Sequence, residues 1–316
     1  MKSKKVLSLL LVLCMAVFAF PFSAGASETK DVADTLIEEL GVPADAAEAV
    51  AEGQQVPENF AASVAYVSDY AGLKAAVEDP AVTIVMVLND ITLEDSLEVG
   101  RNKQNLALIA LNEVTIYSAS QKRHFYVDND TVQQETKMVF SNVILNGSGT
   151  GGGIHSERGF DSMSTLMVDG LRLTGCAAVG DGFDAALVGY NLSIIDADIH
   201  DNQTGGVSSG HYTESLSIEG SKIRNNEGSG IQASSWIHLS VTNSDISYNG
   251  PYGIRTAGFT SNFRVAGCSV NFNGLTGIRL YSSGNNFASG SGIYNCEVRC
   301  NGVSGNAEQG GGLYFF

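Results

Sequence analysis

The chain has 316 residues and a formal net charge of −16; charged residues make up 16% of it and hydrophobic residues 44%. That balance supplies a core and excludes a mostly disordered chain, while the lack of clustered Lys and Arg excludes nucleic-acid binding and adhesion to an anionic membrane surface. Glycine is in excess, 36 residues with 31 of them after position 146, yet there is no Gly-X-Y period and there are only five prolines, so collagen is excluded.

In chain order, residues 1–26 read as a secretory signal peptide. Lys2, Lys4 and Lys5 precede an apolar run from Val6 to Phe20, which is followed by Pro21 and the small residues Ala24, Gly25 and Ala26. The apolar run is short of the ~20 residues of a membrane span. The expected product is therefore secreted or held at the cell envelope, with no transmembrane segment after cleavage. Residues 27–62 form an acidic, Ala-rich arm with short helical stretches before Gly41 and after Pro43. The β-helix domain described below is expected to span 63–316. Ser68-Asp69 is an N-cap signal before a helix from Tyr70 that Pro80 ends, with Leu73, Ala76 and Val77 on its apolar face. Short strands follow at Thr83–Leu88, Ile91–Leu93, Leu97–Val99, Leu106–Leu108 and Val114–Ile116.

From about residue 138 the sequence repeats. The unit apolar–x–apolar, four residues, apolar–x–x–Asn occurs at Leu192…Asn202, Leu216…Asn226, Leu239…Asn249, Phe263…Asn273 and Ile293…Asn301. Earlier copies without the Asn are placed at Val168…Leu173…Cys176 and Val139…Ile144…Gly147. A second column pairs Gly with an apolar residue at Gly153-Ile154, Gly182-Phe183, Gly206-Val207, Gly230-Ile231, Gly253-Ile254, Gly277-Ile278 and Gly312-Leu313. Three short strands of period two in about 24 residues describe one coil of a parallel β-solenoid, which buries its apolar residues only by stacking. The Asn column suits a left-handed turn and an amide ladder; the Gly column suits close backbone approach or positive φ. A β-propeller needs longer repeats, of about 40 residues or more.

This repeat resembles the right-handed parallel β-helix of the pectate lyase and polygalacturonase superfamily, an all-β fold, and exported bacterial adhesin-like proteins with the same opening helix. In that superfamily the strand after the Gly column resembles the one that carries catalysis. Its outward residues here read His155, Asp184, Ser208, Gln232, Arg255, Arg279 and Tyr314. Asp181-Gly182 retains half of the family's Asn-Thr-Asp-Gly motif, and Gly253-Ile254-Arg255-Thr256 resembles its Arg-Ile-Lys motif without the Lys. The family's Asp-Asp pair and Gly-His-Gly have no counterpart. The resemblance therefore implies Asp181, Asp184 and Arg255 as the catalytic candidates, with Asp184 and Arg255 three coils apart, about 14 Å. His155, Gln232, Arg279, Trp236 and His238 are the candidates for holding substrate.

The expected function is non-catalytic binding of a polysaccharide or a cell-surface glycan. The alternative is a lyase or hydrolase acting on an acidic polysaccharide such as pectin. No metal site is expected, and Ca²⁺ enters only with a lyase. Cys268 and Cys296 share a column, either as a disulfide or as a reduced pair. The open last coil at Leu313–Phe316 suggests end-to-end self-association.

Overall fold

The computed structural model describes residues 33–34, 37–38, 42, 44–52, 63–129, 135–157, 164–210, 215–233, 237–256, 260–281, 290–302 and 311–315. The chain divides into two units, 1–57 and 58–316. In the first, helix α1 covers Ala44–Ala51 and buries Ala47, Val50 and Ala51. The second opens with a strand at Val64–Val67 and helix α2 at Tyr70–Glu78, then coils as an all-β solenoid.

Helix α2 is as its sequence dictates. Asp69 is the N-cap, its Oδ1 accepting the Gly72 N–H at 2.8 Å, and Leu73, Ala76 and Val77 are buried. Its C-terminal end is closed by a residue that local pattern does not announce. The buried Lys103 ammonium donates to the carbonyls of Ala76, Val77 and Asp79 at 2.7–2.8 Å. Those are the orphan acceptors of a helix end, where a cation also meets the negative pole of the macrodipole.

Each coil of the solenoid lays down three short strands, and every described pairing is parallel, coil on coil. The strands join into a 17-stranded and a 9-stranded sheet. The larger sheet turns a corner, because Asn105–Tyr117 and Glu135–Asn146 run through it with a register break between Ile109 and Val114. The solenoid therefore has three faces. Face one stacks Leu192, Leu216, Leu239 and Phe263 inward. Face two stacks Leu145, Leu173, Ile199, Ile223 and Ile246. Face three, the 9-stranded sheet, stacks Ile154, Leu187, Val207, Ile231, Ile254, Ile278 and Leu313. All of these except Leu313 are buried, and full burial of each stabilises the fold by ~1.5–3 kcal/mol relative to exposure. One copy of the repeat sits a residue away from its expected place. Met138 pairs with Val168 and Leu145 with Leu173, so Met138 and Leu145, rather than Val139 and Ile144, hold the repeat positions. A slip of one in a period-two strand exchanges the inner and outer faces.

The two signature columns have distinct causes. Asn202, Asn226, Asn249, Asn273 and Asn301 form a ladder: the side-chain amide of each of the first four donates to the carboxamide oxygen of the next at 2.8–3.2 Å. Each also donates to a backbone carbonyl of the preceding coil, as Asn249 does to Ile223. The left-handed residue of this turn is not the Asn but the one before it: Asp201, Asn225, Tyr248, Phe272 and Cys300 have φ of 53–56°. The Gly column is set by close approach. A Cβ on Gly206, Gly230 or Gly253 would lie 2.6–2.8 Å from the backbone oxygen of its counterpart one coil on.

Candidate functional site

Face three is the strand set that the sequence singled out, and its register fixes which residues point outward together. Glu98, Tyr126, His155, Val188, Ser208, Gln232, Arg255, Arg279 and Tyr314 occupy consecutive rungs, about 4.8 Å apart. His155, Gln232, Arg255 and Arg279 are where the period put them. Asp184 is not. The place expected for Gly182-Phe183-Asp184 is filled by Ala186-Leu187-Val188, and Asp184 is an exposed residue just before that strand. Gly182-Phe183 imitates the Gly–apolar pair, but it belongs to a loop that the local pattern cannot tell from a strand.

That loop folds over the start of face three and builds a compact cluster. The Arg123 guanidinium, 1% exposed, holds the Asp181 carboxylate bidentately, Nε to Oδ2 at 2.9 Å and Nη2 to Oδ1 at 3.1 Å. Arg123 Nη1 also donates to the Ala185 carbonyl at 2.7 Å. His155 Nδ1 lies 3.3 Å from Asp181 Oδ2, within Coulombic reach but not aligned for a hydrogen bond. The imidazole is enclosed by Phe183, edge-on with centroids 5.0 Å apart, and by Tyr126 at 5.7 Å. Glycine makes room for the guanidinium: Gly153, at φ +95°, would place a Cβ 2.8 Å from Arg123 Nη1 and 2.1 Å from the Ala186 oxygen.

The electrostatics decide what this cluster can do. Burial alone would raise the Asp181 pKa, but the hydrogen bonds and charge of Arg123 outweigh it and hold the carboxyl below its ordinary range. Burial likewise lowers the His155 pKa, with the Asp181 charge opposing, so the imidazole is neutral at pH 7. An ionised carboxylate with both oxygens engaged is poorly set either to donate or to accept a proton. Asp181 and Arg123 pin the loop onto the sheet. His155, a candidate for touching substrate, is 7% exposed beneath that loop.

Further along face three the column opens. Gln232 is exposed, and Arg255 and Arg279 are half-buried. Tyr252 lies between the two cations: the Arg255 guanidinium stands 5.2 Å from its ring centroid and that of Arg279 5.3 Å, with Arg279 Nη1 donating to the Tyr252 hydroxyl at 2.8 Å. Arg279 also faces the Tyr314 ring at 5.8 Å. Quadrupole attraction lets two like charges occupy adjacent rungs. This Arg–Tyr–Arg–Tyr array joins Arg255, Arg279 and Tyr314, three members of the outward column read from the sequence, to the buried Tyr252.

The remaining candidates lie elsewhere. His238 belongs to face one, exposed on a shallow groove of about 320 Å³ with Ser215, Ser240, Asn262 and Arg264. It does not share a face with Arg255. Trp236 lies outside the described residues. Cys176, Cys268, Cys296 and Cys300 are free thiols. Burial pushes Cys176 up to about 12 and Cys268 to about 11, so both are protonated. Among the described residues no group of three or more His, Cys, Asp or Glu is placed to hold a metal ion, and no helix is long and apolar enough to cross a membrane.

Comparison with known proteins agrees with this architecture. The family described as a right handed beta helix region matches residues 185–315. Among solved structures, the A-module of the mannuronan C-5 epimerase AlgE4 of Azotobacter vinelandii superposes with a TM-score of 0.52 at 14% identity, over 78% of each chain. ORF18 of Geobacillus virus E2 gives 0.44 at 12% identity, over 74% of this chain and 59% of its own. The periplasmic alginate epimerase AlgG gives 0.28 at 14% identity, over 74% and 68%. No curated protein sequence matches the chain.

Proposed function

We propose that this right-handed parallel β-helix protein binds a carboxylate-bearing polysaccharide along face three, without turning it over, and that it does so outside the cell after export. The observation that carries the reading is the array of Arg255, Tyr252, Arg279 and Tyr314 on neighbouring rungs. Guanidinium groups held against aromatic rings retain N–H groups for contact with carboxylates, although Arg279 Nη1 is engaged by the Tyr252 hydroxyl. The rise of about 4.8 Å per rung repeats such contacts along an extended chain. Gln232 adds an exposed amide on the next rung toward the loop.

The alternative, a lyase or hydrolase, finds less support. Inverting hydrolysis needs two carboxyls ~6.5–9.5 Å apart, one of them protonated, whereas Asp181 is ionised and clamped by Arg123. Titration calorimetry with polygalacturonate, mannuronan and alginate tests the binding reading. Arg255→Ala and Arg279→Ala should each weaken binding about tenfold, ~1.4 kcal/mol. Absence of binding to every anionic polymer refutes it. New reducing ends, unsaturated products or epimerised residues, with or without Ca²⁺, would replace it by the catalytic reading. Export is checked by finding the protein, cleaved near residue 26, outside the cytoplasm.

A further inference from the structure

The turn between faces two and three places Asp201, Asn225, Tyr248, Phe272 and Cys300 on successive rungs. The backbone N–H groups of Asp201, Asn225, Tyr248 and Phe272 bond the next coil, as Tyr248 does to the Asn271 carbonyl and Phe272 to the Arg299 carbonyl. All five have φ of 53–56°. Asp and Asn tolerate that left-handed geometry, while for a bulky side chain it is an outlier. Tyr248 and Phe272 therefore carry strain, and core packing does not offset it, because their side chains face solvent: Tyr248 is 55% exposed and Phe272 37%. The two rings lie parallel, 5° apart in tilt, with centroids 4.8 Å apart. Strain held at an exposed aromatic pair calls for a functional account.

We propose that Tyr248 and Phe272 form a platform for a neutral pyranose unit of an oligosaccharide, which stacks on the ring face of Tyr248 that Phe272 leaves open. Phe272 covers one face of Tyr248. The opposite face looks along the solenoid toward the rung of Asn225, whose short side chain leaves room. A groove of about 660 Å³ runs beside the rings, lined by Asn225, Glu227, Pro251 and Leu275 among others, a volume in the range of small-molecule sites. The apolar C–H face of a pyranose matches an aromatic ring, and the exposed Asn225 amide and Glu227 carboxylate supply acceptors and donors for its hydroxyls. Charge selects the ligand: Glu227 is the one charged residue among those lining the groove, and a carboxylate repels a uronate while accepting hydrogen bonds from a neutral sugar. The platform is thus chemically distinct from the arginine array on face three.

The test is titration of the full chain with neutral linear hexasaccharides of gluco, manno and xylo configuration, followed by tyrosine fluorescence and calorimetry. At least one is expected to bind. Tyr248→Gly should weaken it tenfold or more without lowering Tm, since glycine is at ease at positive φ, and should leave polyuronate titrations unchanged, so the two sites stand or fall separately. Failure of the wild type to bind any neutral hexasaccharide overturns the proposal, as does binding that survives Tyr248→Gly. A marked fall in Tm in both Tyr248→Gly and Phe272→Gly would make the rings structural instead. A dimer in sedimentation that Tyr248→Gly abolishes would assign the platform to a second copy of the chain.

Discussion

Replacing Arg123 by Met should be among the most damaging single changes in face three. The guanidinium is 1% exposed and makes three short contacts, two to Asp181 and one to the Ala185 carbonyl. Met fills much of the volume, so what is lost is the charge partner. Removing one member of a buried pair costs about 3–5 kcal/mol, because the other is left desolvated. The Asp181 side chain keeps 13% exposure, which lets water solvate it in part and places the expected loss near the lower end, about 3 kcal/mol, or about 6–12 °C in Tm. The loss should depend on pH with a definite sign. In the wild type the lowered Asp181 pKa contributes stability that is present above the ordinary carboxylate pKa and disappears as pH falls through the folded-state value. In the variant burial, which raises that pKa, is opposed mainly by the Phe183 N–H and His155, so protonation on acidification costs the variant less than it costs the wild type. Urea unfolding of both proteins from pH 7 to pH 3 should therefore show a stability gap that shrinks below about pH 4. Adding Asp181→Leu should recover much of the loss, since an apolar replacement for the whole pair is close to neutral. A gap under about 1 kcal/mol at pH 7, or one constant across this range, would refute the account of Arg123 as the counter-charge that holds the 177–184 loop.

Three further outcomes follow from other buried polar groups. Asn249→Ala removes an interior rung of the amide ladder, taking a donor from the Ile223 carbonyl and an acceptor from the Asn226 amide; the expected cost is about 2–3 kcal/mol by urea unfolding, against less than about 0.5 kcal/mol for Asn225→Gly, an exposed position at positive φ. Lys103→Met strands three carbonyls at the end of α2 and should cost about 2 kcal/mol, with hydrogen exchange rising first in 70–79. His124 is fully buried, its Nε2 facing the carbonyls of Ile116 and Asn146 and its Nδ1 accepting from Gly153 N–H, and burial lowers its pKa to about 4. The unfolded chain then binds the extra proton between pH 6.5 and 4, so wild-type stability should fall as pH drops through that window, and His124→Gln, less stable at pH 7, should show a shallower slope, with His155 still contributing.

How much of this was legible beforehand depends on whether a residue's role is local or made by stacking. The cap of α2 at Asp69 and its buried face of Leu73, Ala76 and Val77 follow from spacing alone, because a helix end and a helix face are set within a few residues. The Asn ladder and the stacked apolar residues are equally visible, since a solenoid repeats the same contacts every 23 or 24 residues through its regular part and period is a property of sequence. The same periodicity placed His155, Gln232, Arg255 and Arg279 on one outward column. It failed at Asp184, where a loop inserted in one coil carries a Gly–apolar pair like those of the strands, while it gave His238 the outward direction that it has, on face one.

What the tertiary structure alone decided is where side chains from unrelated points of the chain meet. Arg123 and Asp181 are 58 residues apart, and nothing near either foretells the pair. Lys103 reaches a helix end more than twenty residues before it, and Tyr252 meets two arginines that stand on adjacent rungs. The left-handed turn was foreseen, but one residue too late, so the strained aromatic pair at Tyr248 and Phe272 emerged only from the backbone. A repeat fixes the scaffold because every coil must satisfy the same backbone and burial demands. The features that distinguish one coil from the next are the ones that repetition does not constrain, and the proposed binding surfaces are built from those.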